Sequence, residues 1–154
     1  RQNGQYMIRT KIAGGSIDHR AFGEIADIAD KFADGKIHFT TRQDMQFYYV
    51  SEANMLPILK ALNEAGVTSL GAGGNTIRNM TLCSQHDSTA EPRVYLSNAI
   101  TALSKHFLGH ELSGGLPRKF KVTFCGCPEG CGGSLTDDAA FIPTEDPTGA
   151  GRPT

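Results

Sequence analysis

Lys36-Ile37-His38-Phe39-Thr40-Thr41-Arg42-Gln43-Asp44-Met45-Gln46-Phe47-Tyr48-Tyr49-Val50 is the stretch whose reading decides the fold. Two runs rich in β-branched and aromatic residues, 36–40 and 45–50, flank a short polar connection, which predicts strand, turn, strand. Upstream, Ala21, Ile25, Ile28, Ala29 and Phe32 recur at helical spacing, with Ala26 beside them. Ser16 or Asp18 is the candidate cap, and Asp34-Gly35 the stop. Before that helix, residues 6–12 alternate as a strand broken by Ala13-Gly14-Gly15. Downstream, Met55, Ile58, Leu59, Leu62 and Ala65 mark a second helix closed by Gly66, and residues 67–70 begin a fourth strand.

Strand–helix–strand–strand–helix–strand is the split βαβ order of a ferredoxin-like lobe. It accounts for about residues 5–72 and sets a first domain at 1–73, ended by Gly71-Ala72-Gly73-Gly74. Beyond it, Val94, Leu96, Ile100, Leu103, Phe107 and Leu108 predict a helix over 92–109. After a loop at Gly114-Gly115-Leu116-Pro117, residues 119–124 alternate strictly. Phe120, Val122 and Phe124 are expected on one face, with Lys119, Lys121 and Thr123 on the other. A further strand is expected at 139–142. One helix and two strands bury little alone. Residues 74–143 therefore read as a partial α/β lobe, and the Pro/Gly-rich 144–154 as a disordered or truncated tail. The class is α+β, and the chain reads as a piece of a longer polypeptide.

At 154 residues the chain is one medium domain or two small ones. A formal charge of −1 argues against nucleic acid as a partner, so cation effects must be local. No apolar run approaches the ~20 residues of a membrane span. No signal peptide is visible. Three of the four cysteines, Cys125, Cys127 and Cys131, crowd into seven residues, with Cys83 apart. That spacing suits a disulfide framework poorly and leads us to expect reduced thiols in a cytoplasm. Cys127 and Cys131 have a C-x3-C spacing that suits two irons of one cluster. A closed zinc site would also need Cys125 and Cys83, or histidines such as His86, His106 and His110.

Three polar segments set fixed cations beside hydrogen-bonding or glycine-rich backbone. They are Thr40-Thr41-Arg42-Gln43, Gly74-Asn75-Thr76-Ile77-Arg78-Asn79 and Leu116-Pro117-Arg118-Lys119-Phe120-Lys121. Arg9 and Lys11 share a strand face. Each segment alone also reads as a solvated loop or strand face. Together they point to one pocket for a strongly anionic group.

In order and spacing, residues 6–15, 40–46, 74–81 and 116–121 resemble the sirohaem- and iron–sulfur-containing nitrite and sulfite reductases. The resemblance runs from about Gln5 to Pro143 and implies the first half of such an enzyme. It assigns Arg9, Arg78, Lys119 and Lys121 to the oxyanion on the open side of the sirohaem iron. Thr40, Thr41, Arg42, Gln46 and Asn79 are assigned to sirohaem carboxylates and nearby groups. Cys127 and Cys131 resemble the family's C-x3-C element, but the matching C-x5-C pair is missing, so most ligands of the 4Fe–4S cluster are expected outside this chain. The implied function is six-electron reduction of sulfite or nitrite, fed by a donor such as ferredoxin or a flavoprotein and completed by the remainder of the reductase chain. No membrane or nucleic acid partner is expected. The chain alone is expected to be inactive. The alternatives are a non-catalytic ligand- or metal-binding module derived from such a lobe and, on the cysteines alone, a zinc-ribbon-like protein.

Overall fold

A computed structural model describes residues 4–83, 90–126, 130 and 132–143, with the side chains of 90–95, 112 and 132 left aside. The first sheet is built from β1 (Gln5–Arg9), β2 (His38–Phe39) and β3 (Met45–Ser51), in the order β1-β3-β2 and antiparallel throughout. Helices α1 (His19–Phe32) and α2 (Glu52–Glu64) pack on it. Asp18 caps α1, its carboxylate accepting from the Ala21 N–H at 2.9 Å. The buried stripe of α1 is Ala21, Ile25, Ile28 and Ala29, the spacing read from the sequence. Ile25, Phe47, Val50 and Ile58 are wholly buried at the centre of this core.

The fourth strand expected at 67–70 is a single antiparallel bridge between Lys11 and Thr68. It keeps the ferredoxin-like order, because it lies on the free side of β1. It forms no ladder, since the chain turns away at once into the glycine-rich 71–74 stretch. The strand expected at 36–40 likewise pairs only over His38–Phe39. β3 departs from strict alternation. Tyr6 faces Val50 while Ile8 faces Phe47, so β3 carries one extra residue. Tyr49 absorbs it at φ 56°, and both Phe47 and Val50 reach the core although they are three apart.

The second unit is a parallel sheet of β4 (Thr81–Leu82), β5 (Val122–Phe124) and β6 (Ala139–Phe141) in that order. Helix α3 (Ala90–Phe107) packs on it through Leu96, Ile100, Leu103 and Phe107. β4 is an element the sequence pattern does not announce, being two residues long. The two-faced reading of 119–124 is corrected here. Val122, Thr123 and Phe124 are all buried, because α3 covers the Val122 and Phe124 face and the turn at 132–135 packs on Thr123, while Phe120 is outside the strand and exposed. Thr123 is satisfied by the Thr81 hydroxyl at 2.7 Å.

The two units are sewn together by backbone and amide groups. Gly14 N–H donates to Met80 O at 2.9 Å. The Gln43 side chain pairs with the backbone of Leu82 in both directions, donating to its carbonyl at 2.6 Å and accepting from its N–H at 2.9 Å. Gln43 holds a left-handed φ of 60°, and a Cβ on Gly15 would lie 2.8 Å from its Cβ. Among the described residues no helix is long and apolar enough to cross a membrane.

Candidate functional site

Arg9 ends β1 directly opposite Gln46 of β3, and cross-strand partners share a face. Gln46 is buried, and its amide satisfies both neighbours in one orientation. It accepts from Arg9 Nε and Nη2 at 2.6 Å each and donates to the Tyr48 hydroxyl at 2.5 Å. Arg9 Nη1 donates to Ala72 O at 3.1 Å. Arg78 Nη1 donates to the same carbonyl at 2.8 Å, and its Nε to Gly74 O at 3.1 Å. Lys11 Nζ donates to Ile77 O at 3.0 Å. Three cations from two segments are thus anchored by main-chain carbonyls of one glycine-rich bend. Among the described residues neither Arg9 nor Arg78 has a carboxylate within ion-pair distance. Burial holds the Lys11 ammonium below its usual pKa, opposed by Asp44 and reinforced by Arg78. Burial also lowers Arg78, helped by the charges of Arg9 and Arg42.

Arg42 lies on the connection between β2 and β3 and reaches across to the second unit. Its Nη1 meets Asp137 Oδ2 at 2.7 Å, and its Nη2 donates to Asn79 O at 2.5 Å and Val122 O at 3.0 Å. Asp137, only 4% exposed in its side chain, also takes Lys121 Nζ on Oδ1 at 3.2 Å. Lys121 Nζ donates to Thr136 O at 2.7 Å as well. Asn79 is buried beneath, donating to Ile12 O at 2.5 Å and Arg42 O at 2.9 Å. Among the described residues, two buried polar atoms here, Arg42 Nε and Asn79 Oδ1, have no hydrogen-bond partner.

Asp44 is the acid inside this basic cluster. Its carboxylate is 3% exposed and accepts from Ile12 N–H at 3.1 Å. Thr40 Oγ1 accepts from the backbone N–H groups of Arg42 and Asp44, shaping the turn that presents both. Burial pushes the Asp44 carboxyl up to about 6 against the downward pull of the Ile12 N–H bond, Arg9, Arg42 and Lys11.

The geometry sorts the residues read from sequence. Arg9, Arg78 and Lys11 converge on one bend, while Arg42 and Lys121 converge on Asp137. Parallel bridging of Ile77 with Phe120 puts Arg78 and Lys121 on the same side of their strands. Lys119 is exposed at the near end of that run, and among the described residues no hydrogen bond or ion pair ties it to the cluster. Thr41 is exposed. Gln46 and Asn79 sit below the cations as their supports. Cys127 and Cys131 lie outside the described residues. Buried Cys83 and Cys125 each follow the last paired residues of β4 and β5, Leu82 and Phe124. Sequence reasoning passed over Asp44 and Asp137. Asp44 left one signal, an acid two residues from Arg42. Asp137 left none, being 95 residues from its partner.

The residues fit a polyanionic group. Arg9, Lys11, Arg42, Arg78 and Lys121 outnumber the buried carboxylates of Asp44 and Asp137, and Arg42 Nε is an orphaned buried donor. Residues 1–65 match the nitrite/sulfite reductase ferredoxin-like half domain, and residues 73–151 the nitrite and sulphite reductase 4Fe-4S domain. The assimilatory ferredoxin-dependent nitrite reductase of Haloferax mediterranei is 27% identical over 152 residues, covering 92% of this chain and 26% of that protein. The NADPH sulfite reductase hemoprotein beta-component of Chromohalobacter salexigens is 28% identical, covering 89% of this chain and 28% of that protein. The chain thus spans about a quarter of the length of these relatives. In fold it is similar to the NirA protein of Mycobacterium tuberculosis, at a TM-score of 0.80 and 22% identity over 93% of this chain and 26% of that one. It is also similar to dissimilatory sulfite reductase I, at 0.75 and 22% over 90% of this chain and 32% of that one. Two consecutive family matches, borne on a ferredoxin-like sheet joined to a parallel one, make this chain a member of the nitrite and sulfite reductase family.

Proposed function

We propose that this chain supplies part of the anion cradle of a reductase that takes sulfite or nitrite through six electrons. Its cofactors are sirohaem and a 4Fe–4S cluster, and a ferredoxin or flavoprotein feeds it. The observation that carries the reading is the meeting of Arg9 and Arg78 on Ala72 O, with Lys11 beside them and no ion-paired acid. Like charges held together at a cost in burial and repulsion need a counter-charge, and an oxyanion or a polycarboxylate provides it. Sirohaem, when bound, supplies the iron and the redox chemistry. This chain's residues bind and orient. Arg9 and Arg78 hold an anion by hydrogen bonds, and their carbonyl anchors fix the forks so that little reorganisation accompanies binding. Lys121 and Lys119 extend the positive face along the adjoining run, while Gln46, Thr40 and Asn79 set the arginine geometry. Thr41 stands exposed at the same turn, available to a cofactor side group. Cys127 and Cys131 remain the thiols this chain offers a cluster, and the other ligands come from the rest of the polypeptide.

The test uses the full-length reductase that carries this chain. Arg78→Gln is expected to keep the haem and iron–sulfur absorption bands while lowering turnover of sulfite or nitrite ~10²–10³-fold. Lys119→Met and Lys121→Met separate the outer lysines from the arginine pair. Turnover at the parental rate in Arg9→Gln, Arg78→Gln and both lysine variants would remove the reading.

A further inference from the structure

We propose that Asp44 is the built-in counter-charge of the anion cradle, and that an anion arriving at Arg9 and Arg78 displaces this role, so that binding and protonation of Asp44 are coupled. The inference rests on the anion-cradle reading above and adds a residue and a proton to it.

Asp44 is buried within the cluster, yet the one hydrogen bond of its carboxylate among the described residues is from a backbone N–H, that of Ile12. The surrounding cations are each anchored elsewhere. Arg9 is held by Gln46 and Ala72 O, Lys11 by Ile77 O, Arg78 by Ala72 O and Gly74 O, and Arg42 by Asp137. Asp44 therefore balances their charge through space without occupying their donors. A carboxylate placed this way leaves the remaining N–H groups of Arg9 and Arg78, the Arg78 Nη2 group foremost, to an outside anion and keeps the empty site from being an unbalanced cluster. When an external anion settles on the cations, the charge that favours ionised Asp44 is already neutralised. The buried carboxylate is then disfavoured, and one of its oxygens takes a proton from solvent.

The groups that face Asp44 from every packed element are few. From β1 and its extension they are Arg9 and Lys11, and from its own turn Arg42, whose outer side carries Asp137 and Lys121. From the 71–80 bend comes Arg78. Burial lowers Lys11 and Arg78 and raises Asp44, so desolvation works against the charge of all three groups. The coupling gives Asp44 a task for a reaction that consumes protons. Substrate binding draws a proton into the protein immediately behind the anion, and Asp44 acts on it through the arginines.

The experiment measures nitrate binding by titration calorimetry, because nitrate does not itself titrate between pH 5 and pH 7.5. The full-length reductase that carries this chain and its Asp44→Asn variant are compared; asparagine keeps an acceptor for Ile12 N–H. For the parent, affinity is expected to rise about tenfold as pH falls from 7.5 to 5, with proton uptake visible in buffers of different ionisation enthalpy. For Asp44→Asn, affinity at pH 7.5 is expected to match the parent's low-pH value, and the pH profile to flatten. Every other titratable group is common to both proteins, so the difference isolates Asp44. Parallel pH profiles for parent and variant, with nitrate bound, overturn the coupling and leave the cradle standing. No nitrate binding by either protein at either pH overturns both. Should Asp44→Asn fail to fold, the carboxyl carbon shift of Asp44 in the parent, followed by NMR with and without nitrate, decides instead. A titration midpoint that nitrate leaves unmoved overturns the coupling.

Discussion

Asp44 shows how one side chain answers to its surroundings. Removal from water raises its carboxyl above the unfolded value of 3.8 to about 6, and the neighbouring cations only partly offset that. A raised folded-state pKa means that the protonated form is favoured by folding. Its contribution to stability is complete below 3.8 and is lost as pH rises through 6. Two units correspond to about 3 kcal/mol. Denaturant unfolding of the parent and Asp44→Asn should therefore show the variant gaining up to about 3 kcal/mol on the parent between pH 4 and pH 7.5. A gap that stays constant over that range would mean Asp44 titrates like a solvated acid. Its neighbour Gln43 illustrates a different economy. A side-chain amide, which can donate and accept at once, closes both backbone groups of Leu82, as another strand would.

At the scale of elements, β5 is where pattern and packing diverged. Alternation alone reads as a half-wet strand, but α3 on one face and the turn at 132–135 on the other bury it entirely. The buried threonines of β4 and β5 satisfy one another at 2.7 Å. Thr123→Val should cost about 1–2 kcal/mol by leaving Thr81 with only the Val122 carbonyl at 3.5 Å. Thr81→Val together with Thr123→Val should cost less than the sum of the single changes, because the pair is removed as a unit. Additive losses in thermal unfolding would show that the two hydroxyls are not partners. The bulge in β3 has a similar logic. Tyr49 accepts a left-handed φ so that Phe47 and Val50 both fill the first core. Phe47→Ala, at a wholly buried position, should cost about 3–5 kcal/mol.

For the whole molecule, the junction between the two sheets is polar and specific. Asp137 receives Arg42 from the first unit and Lys121 from the second, and it is nearly inaccessible. Asp137→Ala strips a charged partner from Arg42 and should destabilise the chain by about 1.5–3 kcal/mol. The effect should be localised. Hydrogen exchange should quicken at the Leu82 and Gly14 amides, which bridge the units, while the Thr10 amide, bonded within the first sheet to Met45 O, keeps its protection. Equal acceleration at all three would show that the two units unfold together and that the junction is not a separate weak point.

Local information in the sequence was enough for the helices and the order of the first lobe. Periodicity, caps and glycines act over a few residues, and α1 with its Asp18 cap follows from them directly. Arg9 and Arg78 were nominated by the resemblance, since by residue chemistry alone each also read as a solvated strand face or a polar loop. What stayed hidden depended on partners distant in the chain. The Thr68 segment forms one bridge to Lys11, because pairing depends on where the bend at 71–74 takes it. Arg42 and Lys121 read as open cations, but Asp137, far along the chain, claims both. Asp44 looked like a turn residue until burial raised its pKa. Sequence determines which groups a protein owns. Desolvation and long-range pairing are properties of the assembled fold, and they decided which of those groups remain available to a ligand.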